Sequence, residues 1–456
     1  MSYIPHTDAD REAMLKAIGV DSIEALFDAV PETHRFPKLD LPTPRSELEV
    51  STELEALSMF NISAKEYAVF LGAGAYNHFS PAAVNQLLLR SEFYTAYTPY
   101  QPEVSQGTLQ AIFEFQTMIS RLVGMEAANA SHYDGATALA EAVTMAGAIQ
   151  RGRNKVVLSP GIHPQYREVV RTYHQNRPIK FSGDRGGKAT LLDLIDMIDD
   201  NTMMVVVQYP NFFGQIEDLT EIAKAAQSHK ALLCVVTDPV ACAILKPPGA
   251  FGADIVVGEG QSLGIPMSFG GPYLGFFATL EKHVRKIAGR VIGETLDIDG
   301  KRAYTMTLRP REQDIRREKA TSNICTNQGL MSLAACMHMS FLGKQGMQRV
   351  AELCWHKSHY AADEIDKLEG YSVDKGQPFI KEFVVTCPKP VAETNEHLLH
   401  HYGIIGGYDL SQDYPDRQNQ MLLCVTEMNT REEIDMLVEA LRTVNEEKHI
   451  HVELKA

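Results

Sequence analysis

The stretch ADIVVGEGQSLGIPM, residues 253–267, joins an apolar strand to a glycine-rich loop and decides the fold. Its first five residues form a mainly apolar run, as expected of a strand that is covered on both sides. Similar runs occur at 203–207 and 231–236, and the segment 219–229 between them has helical periodicity. Strands that alternate with helices predict an α/β domain with a mostly parallel sheet and helices on both faces.

The loop itself excludes one common cofactor. Its glycines follow the pattern G-x-G-x-x-x-G, which has the wrong spacing for a dinucleotide fingerprint, and Pro266 stands where a helix would have to begin. A nicotinamide site is therefore not expected. The sequence also has no lysine between Pro247 and Glu281, so the loop offers no amine that could attack a carbonyl.

Composition limits the remaining classes of function. The chain has 456 residues, 45% of them hydrophobic, with a net charge of −15 and a pI near 5.5, which disfavours a nucleic-acid surface. The amino terminus lacks a signal-peptide pattern, and no apolar window is long enough to span a membrane. Seven cysteines without a C-x-x-C pair predict reduced thiols in the cytoplasm, and no metal-binding motif is present.

We predict three regions along the chain. Residues 1–107 form an N-terminal arm of short helices and extended segments that is rich in proline. Residues 108–330 form the large α/β domain. Residues 331–456 form a smaller α+β domain, because a strand at 421–425 precedes an amphipathic helix capped by Asn429 or Thr430.

Two positions are suited to an anion and a cation, respectively. Gly135 and Thr137 follow Asp134 at a helix start, where free backbone N–H groups favour an anion such as phosphate. An ordinary helix cap explains the same residues. Asp238 follows the strand 231–236, so its carboxylate lies at the sheet edge that usually binds ligands and could hold a cationic ring nitrogen. A loop-capping aspartate before Pro239 is the alternative.

The order of these features resembles the large domain of fold-type-I pyridoxal-phosphate-dependent transferases, with their small domain at the carboxyl terminus. More narrowly, YTPYQPEVSQG at 97–107, RREKATSNICT at 316–326 and GGP at 270–272 resemble the glycine cleavage system P-protein family. The likeness spans nearly the whole chain. The cofactor-bearing half of that family carries, at this loop, a motif that resembles His-Lys-Thr-Phe-x-Ile-Pro.

The resemblance places Gln261 at the lysine position and Gly260 at the position of the histidine that stacks on the cofactor ring. It therefore implies the alpha subunit, or subunit 1, of a two-subunit glycine decarboxylase, with pyridoxal phosphate bound by the partner subunit and none bound covalently here. Gly135, Thr137 and Asp238 would be remnants of a cofactor site.

The resemblance also implies partners and a reaction. A lysine-bearing subunit 2 would pair with this chain, in an α2β2 assembly, and complete a site that decarboxylates glycine. The site would release CO2 and transfer the aminomethyl group to the lipoyl arm of H-protein. Two alternatives remain open: a catalytically silent scaffold of the same complex, and an independent pyridoxal-phosphate enzyme whose lysine lies elsewhere, with Lys246 or Lys282 nearest in sequence.

Two segments are expected to reach the partner's site. Tyr97, Tyr100 and Glu103 belong to the first, although the tyrosines would equally anchor the arm by burying their rings. The second comprises Thr321, Ser322 and Asn323, whose short polar side chains suit a phosphate or carboxylate but also suit turns and helix caps.

Overall fold

The structure is a computed structural model, which describes residues 5–184, 190–324 and 326–444. The chain divides into two compact units, Met1–Ile62 and Ser63–Ala456. No helix within the described residues is long and apolar enough to cross a membrane.

The N-terminal unit contains two α-helices, α1 (Asp8–Ile18) and α2 (Glu47–Ser58). Both begin with a capping box: the Thr7 or Ser46 side chain accepts a hydrogen bond from a backbone N–H three residues later, and an acidic side chain returns the contact. Neither helix buries a residue. Their termini are thus specified locally, without a core.

The second unit contains the remaining helices of the described chain. In order they are α3 (Ala82–Leu88), α4 (Ser91–Tyr94), α5 (Gln106–Val123), α6 (Gly135–Ile149), α7 (Pro164–His174), α8 (Leu191–Ile195), α9 (Thr220–Ser228), α10 (Gln313–Arg316), α11 (Gly329–Ile365), α12 (Val391–Tyr402) and α13 (Arg431–Thr443). Helix α11 is interrupted at Gly343, whose φ of 59° and ψ of −174° lie outside the helical region.

The strands all lie in the second unit. They are β1 (Ala68–Val69), β2 (Ala127–Ala128), β3 (Lys155–Leu158), β4 (Lys180–Ser182), β5 (Thr202–Tyr209), β6 (Leu232–Thr237), β7 (Ile255–Glu259), β8 (Gly275–Thr279), β9 (Val291–Leu296), β10 (Arg302–Thr307), β11 (Ser372–Val373), β12 (Glu382–Thr386), β13 (Ile404–Ile405), β14 (Tyr408–Asp409) and β15 (Gln420–Cys424).

The main sheet has the order β2-β8-β7-β6-β5-β3-β4 within the described part of the chain. The pairs from β7 through β6, β5 and β3 to β4 are parallel, whereas β8 pairs antiparallel with β7 and β2. Strands β3, β5, β6 and β7 are buried along almost their whole length, whereas the edge strand β4 is not. This is the predicted α/β architecture, and the carboxyl ends of β5, β6 and β7 meet at one edge.

Two hydrophobic clusters cover the faces of this sheet. Helix α6 packs on one face, where its Leu139, Val143 and Met145 side chains are buried with alternate residues of β5 and β6. Helices α5, α9 and the first part of α11 cover the other face. Strands β3, β5, β6, β7 and β8 therefore contribute side chains to both clusters, because successive residues point to opposite faces.

A smaller antiparallel sheet, β11-β12-β15-β14, lies toward the carboxyl terminus. Helices α12 and α13 and the end of α11 contribute to the hydrophobic cluster beside it. Residues 68–69, which the sequence assigns to the arm, pair as β1 with β13 in this region. The division of the chain at 107/108 and 330/331 remains a prediction.

Candidate site at the carboxyl edge of the main sheet

A narrow cavity of about 50 Å³ lies at the carboxyl ends of β5, β6 and β7. Asp238 follows β6 directly, and Glu259 is the last residue of β7. Lys381, which precedes β12, and Glu382, the first residue of β12, also line the cavity. The cavity is far smaller than the roughly 300 Å³ or more of typical ligand pockets.

Gln261 is buried and fully engaged in hydrogen bonds. Its side-chain oxygen accepts a 2.9 Å bond from the Tyr76 N–H, and its Nε2 donates to the carbonyls of Tyr76 at 3.0 Å and Ile265 at 2.7 Å. An amide can both donate and accept, as this bridge requires. The side chain therefore closes the loop onto the segment around Tyr76, and it is not a nucleophile.

Gly260 has no room for a ring. A Cβ atom at this position would lie 2.9 Å from Leu274 Cδ2 and 3.1 Å from the Leu274 carbonyl oxygen. The Gly260 N–H donates to that same carbonyl at 2.6 Å. Leu274 therefore fills the space that a ring would need at the position where the resemblance expects the stacking histidine.

Helix α6 begins with the cap that the sequence predicts. Asp134 accepts a 2.7 Å hydrogen bond from the Thr137 N–H, and the Thr137 side chain contacts Asp134 in return. The Gly135 N–H points elsewhere and donates to Glu259 Oε2 at 3.0 Å. Ordinary capping thus accounts for Thr137, whereas Gly135 meets an acidic group of its own chain.

Glu259 satisfies three backbone N–H groups with its two oxygens. Besides Gly135, it accepts bonds from Gln261 at 3.0 Å and Leu274 at 2.9 Å, both to Oε1. Burial raises the pKa of Glu259 to about 8, although these hydrogen bonds act to lower it. In either protonation state, its oxygens occupy the place at the α6 N-terminus where an external anion would bind.

Asp238 forms a buried ion pair with Lys381. The Asp238 carboxylate also accepts a 2.9 Å hydrogen bond from the Val240 N–H, and the Lys381 Nζ lies 3.4 Å from the centre of the Tyr76 ring. Burial alone would raise the pKa of Asp238 and lower that of Lys381, but the opposite charges outweigh it. The net shifts keep Asp238 ionised and Lys381 protonated.

Tyr76 and Glu382 extend this network. Glu382 accepts hydrogen bonds from the Tyr76 hydroxyl at 2.8 Å and from the Ala73 N–H at 2.7 Å. Tyr76 therefore touches Gln261 through its backbone, Lys381 through its ring and Glu382 through its hydroxyl. The cavity walls are joined to one another by direct contacts.

These residues do not fit pyridoxal phosphate. The helix N-terminus that would hold a phosphate carries Glu259, and the carboxylate that would hold a protonated ring nitrogen is paired with Lys381. Gln261 offers no amine that could form an imine. Glu259 thus occupies the position expected for the phosphate, Lys381 occupies the position expected for the ring nitrogen, and Gln261 stands where a lysine is expected.

The sequence interpretation missed Glu259, Lys381 and Tyr76 as members of this site. Glu259 stands between two glycines of the stretch 253–267. A charged residue at the end of an otherwise apolar, buried strand was the available signal, because such a group needs partners. Lys381 and Tyr76 are distant in sequence and carry no local signal.

Lys246 and Lys282, the lysines nearest to the loop in sequence, do not line this cavity. Both line a separate cleft of about 620 Å³ beside the amino-terminal ends of β6 and β7. Lys246 lies over the Phe251 ring at 3.9 Å, and Lys282 pairs with Asp254 at 3.3 Å. Lys381 lines the cavity instead, but its raised pKa keeps it charged and poorly nucleophilic.

The arm residues differ in exposure. The Tyr97 side chain is largely exposed, at 76%. Tyr100 is held by Arg290, which donates to its hydroxyl at 3.1 Å, and the guanidinium groups of Arg290 and Arg309 lie over its ring. Glu103 is exposed in a short 3₁₀ turn. Anchoring thus describes Tyr100, whereas Tyr97 is free to contact another molecule.

Two of the residues 321–323 contact their own chain. Ser322 Oγ accepts a 3.0 Å hydrogen bond from the Ile324 N–H and lies near the buried Glu141 side chain, whose pKa burial raises to about 7. The Asn323 carbonyl accepts a 3.4 Å hydrogen bond from Gln313 Nε2. Thr321 is exposed. Just beyond this segment, Thr326 and Asn327 share a cavity of about 320 Å³ with Tyr97. The neighbourhoods of the two predicted segments therefore meet at one pocket.

One buried cluster outside these sites combines potential metal ligands. Ligand atoms of His78, Cys354 and Glu427 lie within 4.8 Å of one another. Hydrogen bonds already join them, since Glu427 Oε2 lies 2.7 Å from His78 Nδ1 and 3.4 Å from Cys354 Sγ. That the chain uses no metal remains a prediction.

The family model for the glycine cleavage system P-protein matches residues 1–441. The chain belongs to this family. Its relatives include the probable glycine dehydrogenase (decarboxylating) subunit 1 of Thermomicrobium roseum, 55% identical, with 97% of this chain and 99% of the relative covered. The subunit 1 of Geobacillus kaustophilus is 52% identical, with 96% and 98% covered.

Solved structures agree with this assignment. A crystal structure of glycine decarboxylase (P-protein) of the glycine cleavage system, in an inhibitor-bound form, is 43% identical with a TM-score of 0.90, and 97% of this chain and 100% of that chain are covered. A Lactobacillus brevis glutamate decarboxylase is 13% identical with a TM-score of 0.67, covering 93% and 99%. The P-protein family thus shares the fold-type-I architecture, as the sequence predicts.

Proposed function

We propose that this chain is the cofactor-free subunit of a two-subunit glycine decarboxylase and that a lysine-bearing partner subunit holds the pyridoxal phosphate. The observation that carries the proposal is Gln261, a buried amide with three hydrogen bonds at the position where the family resemblance expects lysine. The names of the relatives, which specify a subunit 1, support a second subunit.

The surrounding charges support loss of the cofactor and not merely of the lysine. Glu259 supplies an acidic group at the start of α6, and Lys381 supplies a cation to Asp238. Under this proposal, Gly135, Thr137 and Asp238 are remnants of an ancestral cofactor site that now stabilise the fold. The buried side chains of Glu259, Asp238 and Lys381 have hydrogen-bond or ion-pair partners within the chain without any ligand.

The subunit would act by completing its partner's site. In an α2β2 assembly, the exposed Tyr97, together with Tyr100, Glu103 and residues 321–323, would border the site that decarboxylates glycine and passes the aminomethyl group to lipoylated H-protein. The pocket shared by Tyr97 and Asn327 supports this placement. The free, buried state of Cys234, Cys242, Cys336, Cys354, Cys387 and Cys424 supports a reducing compartment such as the cytoplasm.

A silent scaffold is the second candidate, and one observation favours it. Ser322 and Asn323, which were expected to reach the partner, accept hydrogen bonds within this chain through the Ser322 hydroxyl and the Asn323 carbonyl. Such contacts would organise the fold without touching the reaction. The two candidates differ in whether substitutions that leave assembly intact alter glycine turnover.

Borohydride trapping tests the proposal. The purified chain and its purified partner are each incubated with pyridoxal phosphate, reduced with borohydride, and examined by mass spectrometry. We expect a pyridoxyl group on the partner and none on this chain. Retention at Lys381 or any other lysine of this chain would overturn the proposal. Glycine–bicarbonate exchange should then require both chains, and exchange by the partner alone would favour the scaffold.

A further inference from the structure

The N-terminal unit has no interior of its own. None of the described residues from 5 to 62 is buried. Sixteen of its large apolar side chains are exposed: Met14, Ile18, Ile23, Leu26, Phe27, Val30, Phe36, Leu39, Leu41, Leu48, Val50, Leu54, Leu57, Met59, Phe60 and Ile62. Exposed apolar surface of this extent marks a surface that another molecule covers.

The two helices of this unit present apolar stripes. On α2, Val50, Leu54 and Leu57 recur at intervals of four and three residues, which places them on one face. On α1, Met14 and Ile18 are one turn apart. Capping boxes fix where both helices begin, so the stripes are presented by defined elements. Short helices without tertiary packing are marginal in water, and therefore need such a cover.

The net charge of the N-terminal unit limits which kind of molecule can pack on its apolar surface. Residues 1–62 contain twelve acidic and five basic side chains, a net charge of −7. An anionic membrane or a nucleic acid would be repelled by this unit. A protein surface with apolar pockets and a basic rim fits both the exposed apolar residues and the charge.

We propose that residues 5–62 form an arm that packs on the lysine-bearing partner subunit. The family model includes this segment, because its match begins at residue 1, so the arm belongs to the P-protein scaffold. The relatives' designation as subunit 1 supplies the partner. The inference rests on the proposed function, and it adds which surface of this chain the partner covers.

Hydrogen exchange of the intact chain tests this arm directly. Backbone amides of 8–18 and 47–58 should exchange rapidly in the chain alone and should become protected when the purified partner is added. Protection in the chain alone would mean that the segment is covered by its own chain or by a second copy, which sedimentation distinguishes, and either result would overturn the proposal.

Substitutions in the full-length chain give a second test. Leu54→Glu with Leu57→Glu places two charges in the α2 stripe and should raise the dissociation constant for the partner at least tenfold. Thr52→Glu is the matched control, because position 52 lies on the opposite face of α2 and is also exposed. Circular dichroism should show the same helix content in all variants.

The outcomes separate the arm from the proposed function. Unchanged affinity of the doubly substituted chain, together with normal glycine exchange, would overturn the arm while leaving the two-subunit enzyme intact. Failure of the unmodified chain to bind the partner at all would instead contradict the proposed function. An equal loss of affinity in Thr52→Glu would point to charge alone and would likewise overturn the role of the apolar stripe.

Discussion

The carboxyl group of Glu259 accepts a 3.0 Å hydrogen bond from the backbone N–H of Gly135. One residue ends β7 (Ile255–Glu259) and the other begins α6 (Gly135–Ile149), so the contact joins a strand end to a helix start at the edge of the sheet. An acidic side chain at a helix N-terminus complements the unpaired N–H groups and the helix dipole. The chain thus supplies its own hydrogen-bond acceptor at the position where its sequence predicts an anion.

Glu259 should make stability depend on pH. Burial raises its pKa from 4.5 in the reference state to about 8 in the fold. A group with a raised folded pKa stabilises the protein most below its unfolded pKa, and this contribution is lost as pH rises from about 4.5 to about 8. The free energy of unfolding, measured with urea, should decrease by a few kcal/mol as the pH rises through this window.

The Glu259→Gln variant tests whether Glu259 causes this pH dependence of the free energy of unfolding. It keeps an oxygen for the backbone donors but cannot titrate, so the pH dependence in this window should be reduced relative to the wild type. Glu55→Gln, at an exposed position in α2, is the control and should retain the wild-type slope. Equal slopes in the wild type and Glu259→Gln would contradict the assignment.

Gln261→Lys alone should not create a cofactor site. The substitution removes the acceptor of the Tyr76 N–H and buries an ammonium beside Tyr76, which lines the same cavity of about 50 Å³ as Lys381. We expect a loss of roughly 1–3 kcal/mol in the free energy of unfolding for the unpaired group, and no pyridoxyl group after borohydride reduction.

The matched control keeps the size of the side chain without its charge. Gln261→Met should lose stability through the same broken hydrogen bonds but without burying a cation. If Gln261→Lys binds pyridoxal phosphate covalently at position 261, then Glu259 and Lys381 do not block the site as proposed.

The sequence predicts the α/β elements well because their signals are local. The run 231–236 becomes β6 (Leu232–Thr237), and the helix start predicted at 134–137 becomes the first turn of α6 (Gly135–Ile149). Thr430 caps α13 (Arg431–Thr443) as expected. Apolar periodicity and caps lie within a few residues of the elements they specify. The hairpin β9–β10 (Val291–Thr307) was not predicted, because its strands are polar and partly exposed.

The site was predicted only where one residue carries the signal. Asp238 at the end of β6 follows from a strand ending in an acid. Its partner Lys381 lies 143 residues away in sequence and becomes its neighbour only through the fold. The same holds for Tyr76 and Gln261, which are 185 residues apart. Long-range polar pairing is set by tertiary structure, and a single sequence does not show it.

Lys381→Met should destabilise the protein strongly. It leaves the Asp238 carboxylate buried without its cation, and breaking such a buried pair typically costs about 3–5 kcal/mol. The double variant Lys381→Met with Asp238→Asn removes both charges and should recover much of the loss. Urea unfolding near neutral pH measures both.

The pH dependence of these variants offers an independent check. The Lys381 ion pair lowers the folded pKa of Asp238, so its contribution is present above the unfolded pKa and is lost as pH falls through the folded pKa. The wild type should therefore lose part of its advantage over the double variant in acid. Additive effects of the two single substitutions would show that the pair is not coupled.

Tyr97→Ala should reduce catalysis without reducing stability. The ring is 76% exposed and lines the pocket that also contains Asn327, so its removal breaks few contacts within the chain. Stability should change by no more than about 0.5 kcal/mol. Glycine–bicarbonate exchange of the reconstituted two-subunit complex should fall roughly tenfold, equivalent to about 1.4 kcal/mol, because an exposed aromatic at this pocket would border the partner's site. Leu192→Ala, at another exposed apolar position, should leave exchange unchanged. Normal exchange by an intact Tyr97→Ala complex would remove Tyr97 from the proposed site and favour a purely structural role for residues 97–107.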